Sequence, residues 1–532
     1  MTYIKDRPFE CLVFIICSLV SAYFVIGLNI EQNLLIGNAD QSNMANLARN
    51  IAEGNGAVVD NIWLMLDGGV PGNSVTHAEP YWSVYVAYMI APFFKVFGSS
   101  RLVLILPALL IHIMIVGVVA WSIDKVAPRK KLPAILGIVL ASFSIPMLNS
   151  ITGFSDIYLT LFILLSGITL VYAISMQKWS LFFLAGILAG VAVAIKPSGL
   201  LLLGVWPIYF VFCNGRKTIF RNLIIFLTGL LFGLAPYIVY NQSNFGSFLP
   251  PGLSLAGKAS TIRDAIIVNE KNILDNKVAE NKWGHAHRKG FYNPDSKPIK
   301  RDFSSVLQIE KRIEWLKTFI RKSFIWGQLL PIWLLPFVLI GVFEIFIRLK
   351  SSSSITKSST NLFLIFCILM LISGFVLAIR VSFEVRYWNY MVPLLIVVSV
   401  MGAMRLPKAV SMVLIVFSLY TGTSYLLNHE GLKKSTPAYA KAMDILPDNA
   451  QVFTSSPWQF AFHTRLPSVM LPYTDNSKTI HGTADRYGVE YLAIVDNDTK
   501  HPYYTQLQEA KPFDYLDLIY RDDHLILYKF KN

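Results

Sequence analysis

The segment Gly37-Asn38-Ala39-Asp40-Gln41 places a carboxylate directly after the first long apolar run of the chain. A nearby apolar surface disfavours the charged form of a carboxylate and makes it a stronger base. Asp40 can therefore take a proton from a hydroxyl group that attacks a substrate carbon. The polar stretch Gln41 to Gly54 is amphipathic, and we expect it to form a helix that lies flat at a membrane surface. Asp40 is also suited to cap this helix, and the two roles are compatible.

Two further acidic residues are candidates for contact with a substrate. Asp156 ends the segment Gly153-Phe154-Ser155-Asp156, at the outer end of an apolar run. It can orient the attacking group or hold a divalent cation, and it can also cap a helix. Glu79 precedes an aromatic segment, where it can hydrogen-bond a substrate hydroxyl group or stabilise a helix N-terminus.

Three basic residues are predicted on the outer side of the membrane, where positive charge is uncommon. They are Lys196, which follows an apolar run, and Arg380 and Arg386, which occupy a short turn. Such residues call for an anionic partner, and a lipid phosphate is suitable because Arg binds phosphate with two parallel hydrogen bonds. Contact with ordinary lipid headgroups is the alternative.

The composition indicates a polytopic membrane protein. Of the 532 residues, 54% are hydrophobic and 15% are charged, whereas soluble domains carry about 25% charged residues. The long apolar runs each approach the roughly 20 residues that span a bilayer as a helix. Examples are Cys11–Ile30, Leu102–Ile123, Ile157–Ile174, Leu223–Tyr240, Pro331–Ile347, Leu362–Ile379 and Val410–Leu427.

The segment Tyr81–Phe97 is apolar, but the positive residues argue against its crossing the membrane. If it crossed, the basic loops at 124–131 and 216–221 would both face outward, although Lys and Arg collect in cytoplasmic loops. The segment is short, aromatic and interrupted by Pro92, which is typical of helices in the headgroup plane. With an outer juxtamembrane helix here, we expect about eleven spans, an inner N-terminus and an outer C-terminus.

The chain changes character near residue 428, and we predict two domains. Residues 1–427 form the membrane domain, with outer loops 31–100 and 241–323. Residues 428–532 are predicted to form a small outer α/β domain, suited to act as a lid or scaffold. Its predicted strands are Gln451–Ser455, Ser468–Leu471, Tyr491–Val495, Tyr515–Tyr520 and Leu525–Phe530, and its predicted helices are Pro457–His463 and Gly482–Tyr487.

Three classes of feature are not predicted. The four cysteines lie in or beside apolar runs and form no disulfide framework. His285 and His287 have the spacing of metal ligands in a strand, but a third ligand is not evident, so no metal site is predicted. The net charge of +14 is explained by basic cytoplasmic loops, so nucleic-acid binding is not predicted either.

Several motifs together resemble the GT-C glycosyltransferases, most of all the branch of protein O-mannosyltransferases and lipid A aminoarabinose transferase. They follow one another in the order of the family, from the first outer loop to the last turn. The motifs are Asp40-Gln41-x-x-Met44-Ala45-x-Leu47-Ala48-Arg49, Glu79-Pro80-x-Trp82, Phe97-Gly98-Ser99-Ser100-Arg101, Lys196-Pro197, Pro236…Asn241…Phe245-Gly246-Ser247 and Arg386-Tyr387…Pro393.

The resemblance implies an outward-facing active site that takes its sugar from a polyprenyl-phosphate carrier. It makes Asp40 the expected base, assigns Asp156 to the second acidic position and supports a substrate role for Arg386 and Tyr387. The chain departs from the family pattern at two positions. Gln41 stands where the family has a second acidic residue, and Glu79 stands where it has a lysine, so another cation has to meet the phosphate.

The resemblance predicts an inverting glycosyltransferase that moves a single sugar from a polyprenyl-phosphate carrier to a glycan, lipid or protein acceptor. The site would lie on the outer face of the cytoplasmic membrane, in contact with the lipid bilayer. Transfer of a whole lipid-linked oligosaccharide is one alternative, although such chemistry often uses several metal-binding carboxylates. A membrane transporter is the other, although internal repeats are not evident. No cofactor is assigned beyond the divalent cation that Asp156 can hold.

Overall fold

The computed structural model describes most of the chain. The described residues are 7–30, 35–37, 39–62, 74–79, 82–152, 155–196, 199, 201–213, 218–246, 248, 317, 320, 321, 330–351, 358–378, 388–427, 437–471, 477–495 and 514–531.

The chain forms two compact units, each built from separate stretches of sequence. The helical unit comprises Met1–Ile30, Leu102–Tyr237 and Ser304–Gly431. The mixed unit comprises Glu31–Arg101, Ile238–Phe303 and Leu432–Asn532. The predicted division into residues 1–427 and 428–532 stays a prediction.

Helices are the main element among the described residues. In chain order they are α1 (Pro8–Asn29), α2 (Ala39–Glu53), α3 (Val84–Phe97), α4 (Arg101–Val126), α5 (Lys131–Ser142), α6 (Ile145–Ser150), α7 (Ser155–Met176), α8 (Trp179–Ile195), α9 (Leu201–Cys213), α10 (Ile219–Phe245), α11 (Leu335–Ser351), α12 (Ser359–Ala378), α13 (Met391–Ala403), α14 (Lys408–Leu427), α15 (Ala438–Ile445), α16 (Pro457–Thr464) and α17 (Ser477–Tyr487). A 3-10 turn, Ile332–Leu334, precedes α11.

The strands are short and lie outside the long apolar helices. In chain order they are β1 (Val58–Val59), β2 (Asn61–Ile62), β3 (His77–Ala78), β4 (Val452–Thr454), β5 (Ser468–Met470), β6 (Tyr491–Val495), β7 (Leu516–Arg521) and β8 (Leu525–Phe530).

Six helices of the described residues are long and apolar enough to cross a membrane: α1, α4, α7, α10, α11 with its preceding turn, and α14. Helices α5, α8 and α13 are apolar but shorter. Helix α3 has 14 residues and contains Pro92. At 1.5 Å per residue it reaches only about 21 Å, less than the roughly 30 Å of the hydrocarbon layer. The predicted polytopic helical fold is confirmed, and the number of about eleven spans stays a prediction.

Helices α8 and α10 pack with their backbones in close approach, because each places glycines against the other. A Cβ atom at Gly186 would overlap the carbonyl oxygen of Phe226. A Cβ atom at Gly190 would overlap the carbonyl oxygen of Leu230. In a membrane, where the hydrophobic effect does not drive helices together, such close van der Waals contact is the main source of association. These glycines therefore serve helix packing.

Charged groups from distant parts of the sequence meet at one end of the helical unit. Arg7, before α1, forms an ion pair with Asp124 near the end of α4. The Nε atom of Arg348 in α11 donates to Oε1 of Glu344 at 2.7 Å, and the Nε atom of Arg405 donates to Oε2 at 2.7 Å. Arg348 also donates to the carbonyl oxygen of Val126 at the end of α4, at 2.9 Å, so these groups share one end of the unit.

The mixed unit contains a six-stranded sheet in the order β2-β5-β4-β6-β8-β7. The neighbours from β2 to β6 are parallel, and β6-β8 and β8-β7 are antiparallel. Strands β1 and β3 form a separate antiparallel pair.

Both faces of the six-stranded sheet are covered, as the apolar run of β6 requires. Tyr491 and Ala493 point to the face that packs against α15 and α16. Leu492 and Ile494 point to the opposite face, which packs against α17. Because successive side chains of a strand point to opposite faces, this continuous run supplies two hydrophobic layers at once.

The predicted elements of the C-terminal region are confirmed, with α17 beginning at Ser477 rather than Gly482. Strand β2 was not predicted, since it has only two residues and its partner β5 lies more than 400 positions further along the chain. Through β2, the segment that follows α2 becomes part of the C-terminal sheet.

Candidate functional site

Asp40 lies in the first turn of α2 and is partly buried. The indole N–H of Trp82 donates to its Oδ1 atom at 3.3 Å. The first turn of a helix stabilises negative charge, because its N–H groups lack intrahelical partners and its dipole is positive there. Since α2 begins at Ala39, Asp40 lies within the helix rather than at the N-cap position.

Gly37, which precedes α2, has a backbone conformation that favours glycine. Gly37 has a φ of 126°, and a Cβ atom there would overlap Oε1 of Gln41. Its carbonyl oxygen accepts hydrogen bonds from Nε2 of Gln459 at 2.5 Å and from the hydroxyl of Ser42 at 3.1 Å. The backbone three residues before Asp40 is thus held from both α2 and α16.

Helix α2 is enclosed by protein, so the expected exposure of its polar face is wrong, and its predicted orientation flat at a membrane surface stays a prediction. Every residue from Gln41 to Asn50 is buried, and the helix packs against α3, α16 and β1. The sequence pattern misled because polar side chains on one face usually meet water. Here they meet polar partners inside the mixed unit instead, which is the condition for burying them.

Glu79 is a buried carboxylate that joins α2 to the residues before α3. It is 3% exposed. Its Oε2 atom accepts from Nδ2 of Asn43 at 2.6 Å, and its Oε1 atom accepts from the backbone N–H of Trp82 at 2.9 Å. Asn61 donates in turn to the Asn43 amide oxygen at 2.8 Å. Glu79 thereby orients the residue whose indole faces Asp40, and its predicted contact with a substrate hydroxyl group stays a prediction.

Arg49, on α2, ties this helix to the end of α16. The side chain is 3% exposed, and its Nη1 atom donates to the carbonyl oxygens of Phe462 at 2.7 Å and Ala461 at 3.2 Å. These carbonyls belong to the last turn of α16, where a cation interacts favourably with the helix dipole. Nη2 lies 3.3 Å from Oδ2 of Asp60. Burial lowers the pKa of Arg49, and the Asp60 carboxylate opposes that shift.

His463 contacts the same loop from α16. The backbone N–H of Ile36 donates to its Nε2 atom at 3.4 Å. The ring stacks on Tyr439 with centroids 4.9 Å apart. Burial, reinforced by the Arg49 charge, lowers the pKa of His463 to about 4. The imidazole is therefore neutral near pH 7, which leaves Nε2 able to accept a hydrogen bond.

Asp156 and Lys196 meet in the helical unit. Asp156 lies in the first turn of α7 and is 2% exposed, whereas Lys196 follows the last residue of α8. The Lys196 ammonium group donates to Oδ1 of Asp156. The other carboxylate oxygen, Oδ2, is buried and has no hydrogen-bond partner among the described residues. Buried polar atoms normally have partners, so Oδ2 is suited to a substrate hydroxyl group.

The predicted site residues thus form two pairs, and a third group lies outside the described residues. Asp40 and Glu79 belong to the mixed unit, where Trp82 contacts both. Asp156 and Lys196 belong to the helical unit. Arg380, Arg386 and Tyr387 lie outside the described residues, as do His285 and His287. Their predicted roles stay predictions.

Sequence reasoning missed Gln459 and His463, which hold the loop before Asp40 from α16. Neither residue carries a local signal, because each acts on backbone atoms more than 400 positions earlier in the chain. Asn43 was also missed. A signal for it exists, since it lies three positions after Asp40 on α2, and residues at this spacing share a helix face.

The described residues contain no group of three His, Cys, Asp or Glu side chains with the placement to hold a metal ion. Asp156 offers one buried carboxylate oxygen without a partner in the described part of the chain, but its second oxygen is already bonded to an ammonium group. This donor set does not fit a divalent cation, which prefers several oxygen ligands. The predicted cation role of Asp156 therefore finds no supporting ligands among these residues.

Residues 80–240 match the model of a family described as dolichyl-phosphate-mannose-protein mannosyltransferase. The matched segment contains Asp156 and Lys196 and ends before the C-terminal sheet. It covers less than a third of the chain. No curated protein sequence matches the chain.

Three solved structures are similar in fold over nearly the whole chain. Archaeal oligosaccharyltransferase AglB from Archaeoglobus fulgidus has a TM-score of 0.56 and 12% identity, over 95% of this chain and 71% of that one. ArnT from Cupriavidus metallidurans, solved with undecaprenyl phosphate, has a TM-score of 0.57 and 13% identity, over 98% and 97%. Arabinofuranosyltransferase AftD from Mycobacteria has a TM-score of 0.53 and 10% identity, over 98% and 40%.

These similarities agree with the motifs and with the apolar helices. The family-model match over residues 80–240 supports the predicted relation to glycosyltransferases with a polyprenyl-phosphate-linked donor, and the solved structures show a similar fold. The long apolar helices of the described residues and the shared fold agree with the predicted GT-C architecture, and residues 80–240 resemble the mannosyltransferase family.

Proposed function

We propose that this protein is an inverting glycosyltransferase that transfers one sugar from a polyprenyl-phosphate carrier to a hydroxyl group of a glycan, lipid or protein. The acceptor oxygen attacks the anomeric carbon, and the bond from that carbon to the carrier phosphate breaks. Asp40 takes the acceptor proton, and the carrier leaves as polyprenyl phosphate. Attack opposite the leaving group inverts the anomeric centre.

The observation that carries the proposal is the environment of Asp40. The carboxylate is partly exposed, and one oxygen is oriented by the Trp82 indole at 3.3 Å. General bases are held in this way by a hydrogen bond to one oxygen. The surrounding helix is buried and linked to α3 and α16, so the carboxylate sits on a rigid support. A rigid support keeps the carboxylate in place, and this matters because a displacement of about 1 Å can lower the rate by a large factor.

Asp156 receives a second role in the proposal, that of an orienting group. Its Oδ2 atom, which has no hydrogen-bond partner among the described residues, accepts a hydrogen bond from a substrate hydroxyl group, while Lys196 holds Oδ1. Lys196 also supplies positive charge for the carrier phosphate, together with Arg380 and Arg386. No step of the proposed reaction passes through a metal ion.

The proposed location is the cytoplasmic membrane, with the site facing the periplasm or the cell exterior. The support comes from the basic residues that share one end of the helical unit, because such residues collect on the cytoplasmic side. Modification of single cysteines by a membrane-impermeant reagent tests this. A cysteine at exposed Asp448 should react in intact cells, and one at exposed Lys350 should react only after lysis.

The experiment that tests the function is transfer by the full chain in nanodiscs, with a panel of polyprenyl-phosphate sugars and a membrane extract as acceptor. Release of polyprenyl phosphate by the parent protein, lost in Asp40→Asn, supports both the reaction and the base. Equal release by Asp40→Asn contradicts the role of Asp40 and leaves the reaction class standing. The panel includes lipid-linked oligosaccharides, and release from these alone would contradict transfer of a single sugar.

A further inference from the structure

We infer that α16, in the C-terminal region, positions the catalytic base, and that Gln459 is the residue through which it does so. The inference rests on the proposed role of Asp40. Gln459 donates from Nε2 to the carbonyl oxygen of Gly37 at 2.5 Å. Gly37 lies three residues before Asp40 and has a positive φ that favours glycine. The Gln459 amide therefore restrains the backbone from which the base projects, and it does so from α16, whereas the Ser42 hydroxyl acts on the same carbonyl from α2 itself.

Helix α16 contacts this region at three separate points. Besides the Gln459 bond, Nε2 of His463 accepts from the Ile36 backbone N–H at 3.4 Å. The carbonyls that end α16 accept from Arg49 on α2, at 2.7 Å from Phe462 and 3.2 Å from Ala461. The three contacts act on the loop before α2 and on α2 itself. Asp40 lies between these contacts in the sequence. The chain segments before and after the base are therefore both bonded to the same helix, α16.

Packing against the sheet holds α16 in a fixed position. The helix lies between β4 and β5 in the chain, and Phe460 is fully buried in the core layer beneath it. The hydroxyl of Ser468 in β5 donates to the carbonyl oxygen of Pro457 at 2.7 Å. The helix thus cannot shift without disturbing the sheet. The proposed lid or scaffold role of the C-terminal region becomes specific: it is a scaffold that sets the position of Asp40.

The partial exposure of Asp40 explains why such positioning is needed. A base must reach the acceptor proton at about 2.6–3.2 Å, and an error of about 1 Å can cost a hundredfold in rate. Trp82 restrains one carboxylate oxygen, but a hydrogen bond to the side chain does not fix the backbone. Gln459 supplies the backbone restraint, and it contributes no atom to the chemistry.

The test compares Gln459→Ala and Gln459→Glu in the full chain, using the polyprenyl-phosphate sugar that the parent protein turns over. Alanine removes the donor, and glutamate keeps the length but offers no N–H group to the Gly37 carbonyl. Both variants should lower kcat at least tenfold and leave KM for the sugar carrier within twofold. The matched control is Gln242→Ala, an exposed glutamine of the same unit, which should retain the parent kcat.

A second measurement separates positioning from general instability. The chain contains 11 tryptophans. After labelling with 5-fluorotryptophan, the fluorine signal of Trp82 is assigned from its loss in Trp82→Phe. Gln459→Ala should shift this signal, because the Trp82 indole donates a hydrogen bond to Asp40 and moves when Asp40 moves. Gln242→Ala should leave the signal unchanged. A folded Gln459→Ala with an unchanged Trp82 signal and full kcat overturns the inference.

The double variant Asp40→Asn with Gln459→Ala distinguishes the two proposals. If Gln459 acts through Asp40, the double variant should be no slower than Asp40→Asn alone. Additive losses would mean that Gln459 acts elsewhere, which overturns the inference and keeps the base. An Asp40→Asn variant with the parent rate overturns the base and with it the positioning role. Should alanine at 459 prevent folding, Gln459→Glu gives the same comparison.

Discussion

Asp40 and Asp156 occupy the same position in two helices, the first turn, yet their surroundings differ in a way that divides their roles. Asp40 is partly exposed, and a neutral indole donates to it. Asp156 is 2% exposed and is paired with the Lys196 ammonium group. The Lys196 ammonium group occupies one oxygen of Asp156 inside the protein, whereas the partial exposure of Asp40 leaves it accessible to an acceptor hydroxyl group. Asp40 is therefore the carboxylate that we propose as the base.

The first prediction concerns Asp40→Asn, where we expect the largest effect on activity. Loss of a general base typically lowers kcat by about 10² to 10⁴. The amide oxygen introduced by the substitution can still accept from the indole, so the melting temperature should stay within about 2 °C of the parent value, as for a surface substitution. Single-turnover release of polyprenyl phosphate measures the first quantity, and thermal unfolding in nanodiscs measures the second.

Asp448→Asn is the matched control, because it makes the same chemical change at an exposed residue of the same unit. It should leave kcat unchanged. A large fall in melting temperature for Asp40→Asn would contradict the comparison, since it would make Asp40 a structural carboxylate like Asp156.

Asp156→Asn should lower the stability of the protein more than it lowers kcat, which is the opposite of the effect expected for Asp40→Asn. Removing one partner of a buried ion pair costs about 3–5 kcal/mol, because the other charge stays buried and uncompensated. The double variant Asp156→Asn with Lys196→Met removes both charges and should recover most of that loss. Thermal unfolding of the two variants and of Lys196→Met checks this.

Activity gives the second half of this prediction. The double variant recovers stability but lacks the Oδ2 acceptor, so its KM for the acceptor should rise while its fold is intact. If the double variant is as unstable as Asp156→Asn, the ion pair does not explain the burial of Asp156.

The contrast between these two carboxylates also shows what a sequence can and cannot reveal. The strands β6 and β8 were predicted to the residue, because continuous apolar runs bounded by polar residues form a local pattern. The sequence also predicts site roles for Asp40 and Asp156, and these roles stay predictions. What the sequence did not show is which cation meets which carboxylate, since Lys196 was assigned to phosphate alone.

The same limit explains the error over α2. Its polar residues form a local amphipathic pattern, but their partners are distant in sequence, such as the Phe462 carbonyl that Arg49 reaches. Burial of a polar helix depends on such partners and not on its own composition. Gln459 was missed for the same reason, because a hydrogen bond to a backbone atom more than 400 positions away leaves no periodicity.

Glu79→Ala tests how far the mixed unit depends on hydrogen bonds to a buried carboxylate, as the helical unit depends on a buried ion pair. The change leaves the Asn43 amide and the Trp82 backbone N–H without their acceptor. Leaving buried donors unsatisfied costs about 1–3 kcal/mol. Since Trp82 faces Asp40, kcat should fall as well, by about tenfold for a small displacement of the base.

Glu79→Gln is the matched variant, because its single carbonyl oxygen satisfies one of the two donors. Its losses of stability and of kcat should be smaller than those of Glu79→Ala. Equal stability of Glu79→Ala and the parent protein would show that the network around α2 contributes little.

The smallest expected effect is a pH dependence that belongs to the mixed unit. Burial and the Arg49 charge lower the pKa of His463 to about 4, whereas the unfolded chain has a histidine pKa near 6.5. Between about pH 6.5 and pH 4 the unfolded state therefore binds more protons, so stability falls as the pH falls through that range. Below about pH 4 both states are protonated and this contribution is lost in full.

Replacement of His463 by Gln should flatten that part of the stability curve, because the amide oxygen still accepts from the Ile36 N–H and carries no proton. Melting temperatures of the parent and His463→Gln, measured from pH 7 to pH 4, should converge as the pH falls. Because His463 and Gln459 lie on the same helix, kcat should fall together with stability in the parent protein over that range. Parallel curves for the two proteins would mean that the neutral imidazole contributes nothing to holding the loop. The base would then be positioned by the Gln459 amide and the Arg49 guanidinium, which keep their charge states throughout.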